Sequence, residues 1–239
     1  LIDSGIEFSQ AEFGNNFLVA KSGNRNSFIW PGIVRVGNEA IEIQKKDTGA
    51  GLRSGLSSAK RYLWDMDKTS HDWSMKTTET GTPHILQECF KLLSDKGEFS
   101  KDGLEELNAE FRYPRSSLVM FMLAELICHA FVQINNPLER LKRPESELPR
   151  YLANIILTFP TATPSTEQFI LRKRAGDALD LVWQLLNISK NKELSNYFKK
   201  PNLKIDWDEA SCSQQVYLYN EIVHKFNGNL PQYLSSFGK

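Results

Sequence analysis

The sequence predicts an α/β domain: a mixed sheet of three antiparallel strands followed by parallel strands, with helices on both faces and a peripheral insertion. Three observations carry this expectation. Residues 5–43 contain short alternating apolar runs separated by turn signals. Residues 154–207 give a strand, a helix and a second strand, a unit that should be parallel with a right-handed crossover. Long helical patterns also fall before and after that unit.

Gly5 to Phe13 is extended and partly alternating, and Asn16 to Ala20 follows the Gly14-Asn15 turn signal. Phe28 to Val36 is a third strand, with Pro31 marking an edge or a bulge. Ile41 and Ile43 alternate in a short fourth piece, so an antiparallel meander is expected. The glycine-rich stretch Gly49 to Gly55 is a loop without phosphate-loop spacing. It leads to Ser57 and Ser58, which offer a serine cap to a short helix through Lys60 and Trp64. Residues 65–112 are polar and turn-rich and read as an irregular insertion, with a short helix over His84 to Leu93. The domain proper is then 1–64 with 113–239.

A long helix is predicted over about 117–135, ending at Asn135-Asn136-Pro137. Leu118 to Ile134 approaches membrane-spanning length, but Glu125, His129 and Gln133 recur every four residues and make one polar stripe. A helix buried over most of its surface explains that pattern, and no membrane partner is expected. The same stripe has too few ligands for a metal and is expected to be solvated or hydrogen-bonded.

The charged stretch Glu139 to Arg150 is a loop, and Asn154 to Phe159 reads as a strand buried on both faces. Thr163 and Pro164 supply a cap and a first-turn proline to the next helix. Its inward positions are Leu171, Ala175, Ala178, Val182 and Leu185, leaving Arg172, Lys173 and Arg174 as an exposed basic edge. Leu203, Ile205 and Trp207 alternate as a strand. A last helix from Glu209 to Phe226 points Cys212, Val216, Tyr219, Ile222, Val223 and Phe226 inward. This order describes a ribonuclease H-like sheet.

Composition narrows the function. The 239 residues are 41% hydrophobic and 11% aromatic, enough for a core and against intrinsic disorder. Lysine plus arginine and aspartate plus glutamate each number 29, so the net charge is zero and a nucleic-acid partner is not expected. Cys89, Cys128 and Cys212 lie far apart and form no zinc or redox motif. His71, His84 and His224 show no ligand spacing.

The blocks YPRSSLVMFMLAELICHAFVQINNP, LTFPTATPSTEQFILRKRAGDALDLVW and IDWDEASCSQQVYLYNEIV resemble the SrfB family of bacterial virulence factors, together with LIDSGIEF and KRYLWD. Pro160, Gln168, Arg174, Ala175, the AKRYLWD segment and DEASCS at Asp208 to Ser213 also resemble the first half of the DnaK-type chaperone ATPase, in the actin and sugar-kinase superfamily. That resemblance implies ATP and Mg2+ as cofactors. Lys60 would face the terminal phosphate, and Glu209 would position an attacking or magnesium-bound water. Asp3, Ser4 and Gly5 would stand in the first phosphate loop. Ile6 replaces the threonine of that loop, and Ala210 replaces the proline of the chaperone motif. A second phosphate loop is expected on a second lobe, which would be the remainder of its own chain.

Phosphoryl transfer needs a cation on the phosphates, a held metal and an oriented water, and these residue types satisfy that need. Each also has an ordinary reading. Lys60 beside Arg61 is a surface basic pair, Glu209 suits a helix start through the helix dipole, and Asp3 is a polar residue near the chain start. The expectation is therefore the first lobe of a virulence-associated ATP-binding switch or ATPase, acting on a protein partner. The bacterial cytoplasm is the expected location, and any secretion to a host uses a route not readable from the sequence. The alternative is a degenerate actin-like interaction scaffold without nucleotide activity. A metal-dependent nuclease ranks behind both, because NIILTF ends without a carboxylate.

Overall fold

The computed structural model describes residues 6–8, 34–38, 40–41, 55–56, 58–66, 91–94, 96–103, 114–186, 195–196 and 198–237. Its strands are β1 (Ile6–Phe8), β2 (Val34–Val36), β3 (Gly55–Leu56), β4 (Asn154–Phe159) and β5 (Asn202–Asp208). Its helices are α1 (Ser117–Asn135), α2 (Pro137–Arg140), α3 (Ser165–Leu185), α4 (Glu209–Asn220) and α5 (Leu230–Phe237). A 3-10 turn spans Ala59–Tyr62, and a π-helical turn spans Glu221–Lys225.

The predicted mixed sheet does not form among the described residues. The strands fall into two separate sheets, one in the order β2-β1-β3 and one that is the parallel pair β4-β5. Pairing partners are decided by contacts distant in sequence, and local periodicity carries no information about them. The expectation of helices on both faces also fails. Along β4, Ile155 and Leu157 are half-buried while Asn154 and Ile156 are exposed, so one face of the pair is covered and the other meets solvent. A short apolar run cannot by itself distinguish a strand covered twice from one covered once.

The core lies around α1. Leu118, Val119, Met120 and Phe121 are almost wholly buried, and Leu123, Ala124, Ile127 and Cys128 extend the buried surface. The helix packs on α3 and on β2, whose three residues are all buried. Leu171, Ala175, Ala178 and Val182 of α3 face it, at the spacing of one helical face. By length and composition α1 could cross a membrane, but just over half of it is buried inside the domain.

The end of α1 follows from its sequence. The residue before a proline is pushed out of helical geometry, and Asn136 sits at φ −58°, ψ 129°. Its side chain accepts a hydrogen bond from the Leu138 backbone at 2.9 Å and starts α2. Asn135 folds the charged loop back: Oδ1 accepts from Arg150 N at 2.8 Å, and Nδ2 donates to Arg150 O at 2.9 Å.

Other expectations need correction. Ala40 and Ile41 are helical, with Ile41 N bonded to Gly37 O at 3.2 Å, so Ile41 is not in a strand. Ser58 does not cap its turn through its side chain; it adopts a left-handed backbone, φ 72°. Thr163 does not cap α3 either, because its hydroxyl donates to Pro160 O at 2.6 Å. Arg174, expected on an exposed basic edge, is completely buried. The helix from Glu209 keeps none of its residues fully buried through Asn220, and Val216 and Tyr219 point to solvent instead of inward. Asn16 to Ala20 and His84 to Phe90 lie outside the described residues.

Candidate functional site at the carboxyl edge of the parallel pair

Parallel strands end together, so β4 and β5 deliver their following loops to one edge, where Phe159 pairs with Asp208. In open α/β sheets such carboxyl edges are where ligands bind. Here the edge carries the turn Pro160 to Pro164 from one strand and the start of α4 from the other.

Asp208 organises this edge. Its backbone is extended, at φ −84° and ψ 159°, as an N-cap residue requires. Oδ1 accepts from Ser211 N at 2.9 Å and from Thr161 Oγ1 at 3.3 Å, and Oδ2 accepts from Ser211 Oγ at 2.6 Å. These donors favour the charged carboxylate, and the Ser211 hydrogen bonds are the main cause holding Asp208 below the usual carboxylate range. Thr161 thereby ties the two loops together. Beside it, Ala162 takes a left-handed backbone with φ 64°, an uncommon conformation for a residue with a Cβ. The Gln168 side chain closes the turn by donating to Thr163 O at 2.9 Å.

Glu209 opens α4, where a negative charge suits the helix dipole. Its Oε1 forms an ion pair with Lys60 Nζ, between residues 149 positions apart. Lys60 lies in the 3-10 turn, which is anchored by Ala59 and Leu63 in the core. Below it, the Arg115 guanidinium covers the Tyr62 ring at 5.0 Å and approaches Asp65 Oδ2 at 3.6 Å. The segment is therefore fixed at its base while the Lys60 head group stays accessible. Lys60 and Glu209 remain 39% and 50% exposed, so water still screens their attraction.

The structure thus brings Lys60 and Glu209 into contact at this edge, whereas Asp3, Ser4 and Gly5 lie outside the described residues. Sequence reasoning passed over Asp208 and Thr161. The legible signal was an aspartate three residues before Ser211 at a strand-to-helix junction. Elsewhere, His129 Nε2 meets Glu125 Oε1 at 2.9 Å within α1, and no group of three metal-ligating side chains occurs among the described residues.

One cation, two adjacent carboxylates and two hydroxyls at an open edge form a donor set suited to phosphate oxygens and a hydrated hard cation. Magnesium keeps several waters and needs only one or two carboxylates when substrate phosphates supply the rest. Glu209 meets that requirement by type, while both oxygens of Asp208 are engaged by Ser211 and Thr161.

The sequence profile described as "Virulence factor SrfB" matches residues 1–239. Neither a curated protein nor a solved structure matches the chain. With its profile covering the whole sequence, the chain belongs to the SrfB virulence factor family.

Proposed function

We propose that this SrfB-family chain is a nucleotide-responsive switch that takes the phosphates of Mg-ATP at the carboxyl edge of β4 and β5. The Lys60–Glu209 ion pair is the observation that carries the reading. A half-exposed pair of this kind is worth only about 0–1 kcal/mol, so a multiply charged phosphate can displace Glu209 from Lys60 at little cost. Lys60 would then neutralise phosphate charge, and the released Glu209 would orient a water or a water on magnesium. Asp208 stays committed to its cap and holds the start of α4 in place. The likeness of AKRYLWD and DEASCS to segments of the chaperone ATPase points to the same two residues. The switch would pass its state to a protein partner or to the remainder of its own chain, in the bacterial cytoplasm.

Calorimetric titration of Mg-ATP into the full-length natural protein tests this. Saturable binding is expected, weakened at least about tenfold by Lys60→Ala or Glu209→Ala. Both variants should keep stability within about 1 kcal/mol of the parent, because the pair is screened. Absence of binding by the folded protein overturns the reading.

That outcome would favour an interaction scaffold without nucleotide activity, which has its own support. Val216, Tyr217 and Tyr219 on α4, and Leu234 and Phe237 on α5, are large apolar side chains left exposed. Large apolar side chains left on the surface are the type of residue from which interaction sites in soluble proteins are built.

A further inference from the structure

We propose that the cavity between α1 and the β4–β5 pair is a binding site for a small neutral molecule with an apolar body and one hydrogen-bonding end. Its volume is about 250 Å³. Protein interiors pack as densely as organic crystals, and voids much larger than a water are few. Leu123, Leu126, Ile127 and Ala130 form the roof, at the i, i+3, i+4 and i+7 positions of one face of α1. Ile155 and Leu157 of β4, with Leu203 of β5, form the floor, and Ile155 and Leu203 are register partners. Ala175, buried on α3, completes the wall. The space is left by the two alanines, where a longer side chain would fill it.

The walls select the ligand. Asn154 alone among the lining residues has a polar side chain, and its exposure places it at the mouth. Ala130 is partly exposed, whereas Leu123, Ile127 and Ala175 are buried, so the inner end is apolar and closed. Water there would find no side-chain partner, while the apolar atoms of a ligand would regain the dispersion contacts that a void forfeits. An apolar cavity of about 150 Å³ accepts benzene, so this one admits a larger body. No charged side chain lines it, and an ionised group inside would lose its hydration without a partner. A hydroxyl at the mouth can exchange hydrogen bonds with the Asn154 amide, which both donates and accepts. The cavity lies towards the amino ends of β4 and β5, away from the paired Phe159 and Asp208, and stands without any nucleotide at that other edge.

Titration of n-hexanol into the full chain, followed in carbon-13 methyl spectra, tests the site. Saturable shifts are expected at Leu123, Ile127 and Ile155, with a Kd at or below about 1 mM, while the methyls of exposed Val216 on α4 stay unmoved. Ala130→Phe places a ring in the cavity and should weaken binding at least about tenfold, with amide protection in α1 retained. Shifts that rise without saturating, equal shifts at Val216, or undiminished affinity in Ala130→Phe would each overturn the site. Should Ala130→Phe fail to fold, nuclear Overhauser contacts between bound n-hexanol and the Ile127 and Ile155 methyls of the wild type decide. Their presence supports the site, and their absence at saturating alcohol overturns it.

Discussion

Helices α1 and α4 differ in both chemistry and surroundings. α1 is apolar around most of its circumference, whereas Ser211, Ser213, Gln214 and Gln215 interrupt the apolar residues of α4, and α1 has ten buried residues where α4 has none. Phe121 is 1% exposed and Tyr219 is 66% exposed. The difference is what stands opposite. α3 and β2 meet α1, while α4 touches mainly its own strand and the π-helical turn that continues it. A helical stripe is thus a request for a partner surface, and only the tertiary structure says whether the same chain supplies one.

Phe121→Ala should break the better-covered helix most severely. Truncating a buried phenylalanine costs about 3–5 kcal/mol, and denaturant melting of the whole domain measures the loss. A cost below about 1 kcal/mol would show that α1 is less enclosed than described.

A more local effect is expected at the start of α4. Asp208 has a depressed pKa, so its cap is fully present above the ordinary carboxylate range and is lost as pH falls through the lowered value. Acidification below about pH 4 should fray the first turn, read as faster corrected exchange at the Ser211 amide. Asp208→Ala should show that frayed turn already at neutral pH and lose the acid dependence. An unaltered Ser211 amide in that variant would remove Asp208 from its capping role.

Tyr219→Ala should have the smallest effect, within about 0.5 kcal/mol of the parent in the same melting experiment. A larger loss would mean that the outer face of α4 is covered in solution, and the contrast with α1 would narrow.

The hydroxyl of Ser116 shows why part of the support of the candidate site is not legible in the sequence. Ser116 precedes α1 in a position that suits an N-cap, but its hydroxyl instead accepts from Arg174, 58 residues away. Nothing near either residue encodes that meeting. The run Arg172-Lys173-Arg174 suggests an exposed basic edge, although the helical position of Arg174 places it beside inward-facing Ala175 and Leu171. Lys60 and Glu209 were legible as residues by resemblance, whereas their contact was not readable from spacing.

The sequence by itself determined the elements whose causes are local. Leu118 to Ile134 forms a helix that stops before Pro137, NIILTF and the Leu203–Trp207 alternation form strands, and the inward face of α3 follows its own period. Tertiary structure decided which strands share a sheet, which face of β4 meets solvent, and why a guanidinium is buried at position 174. The physical reason is range. Backbone geometry and capping act within a few residues, while burial, sheet pairing and ion-pair contact depend on surfaces brought together from distant parts of the chain.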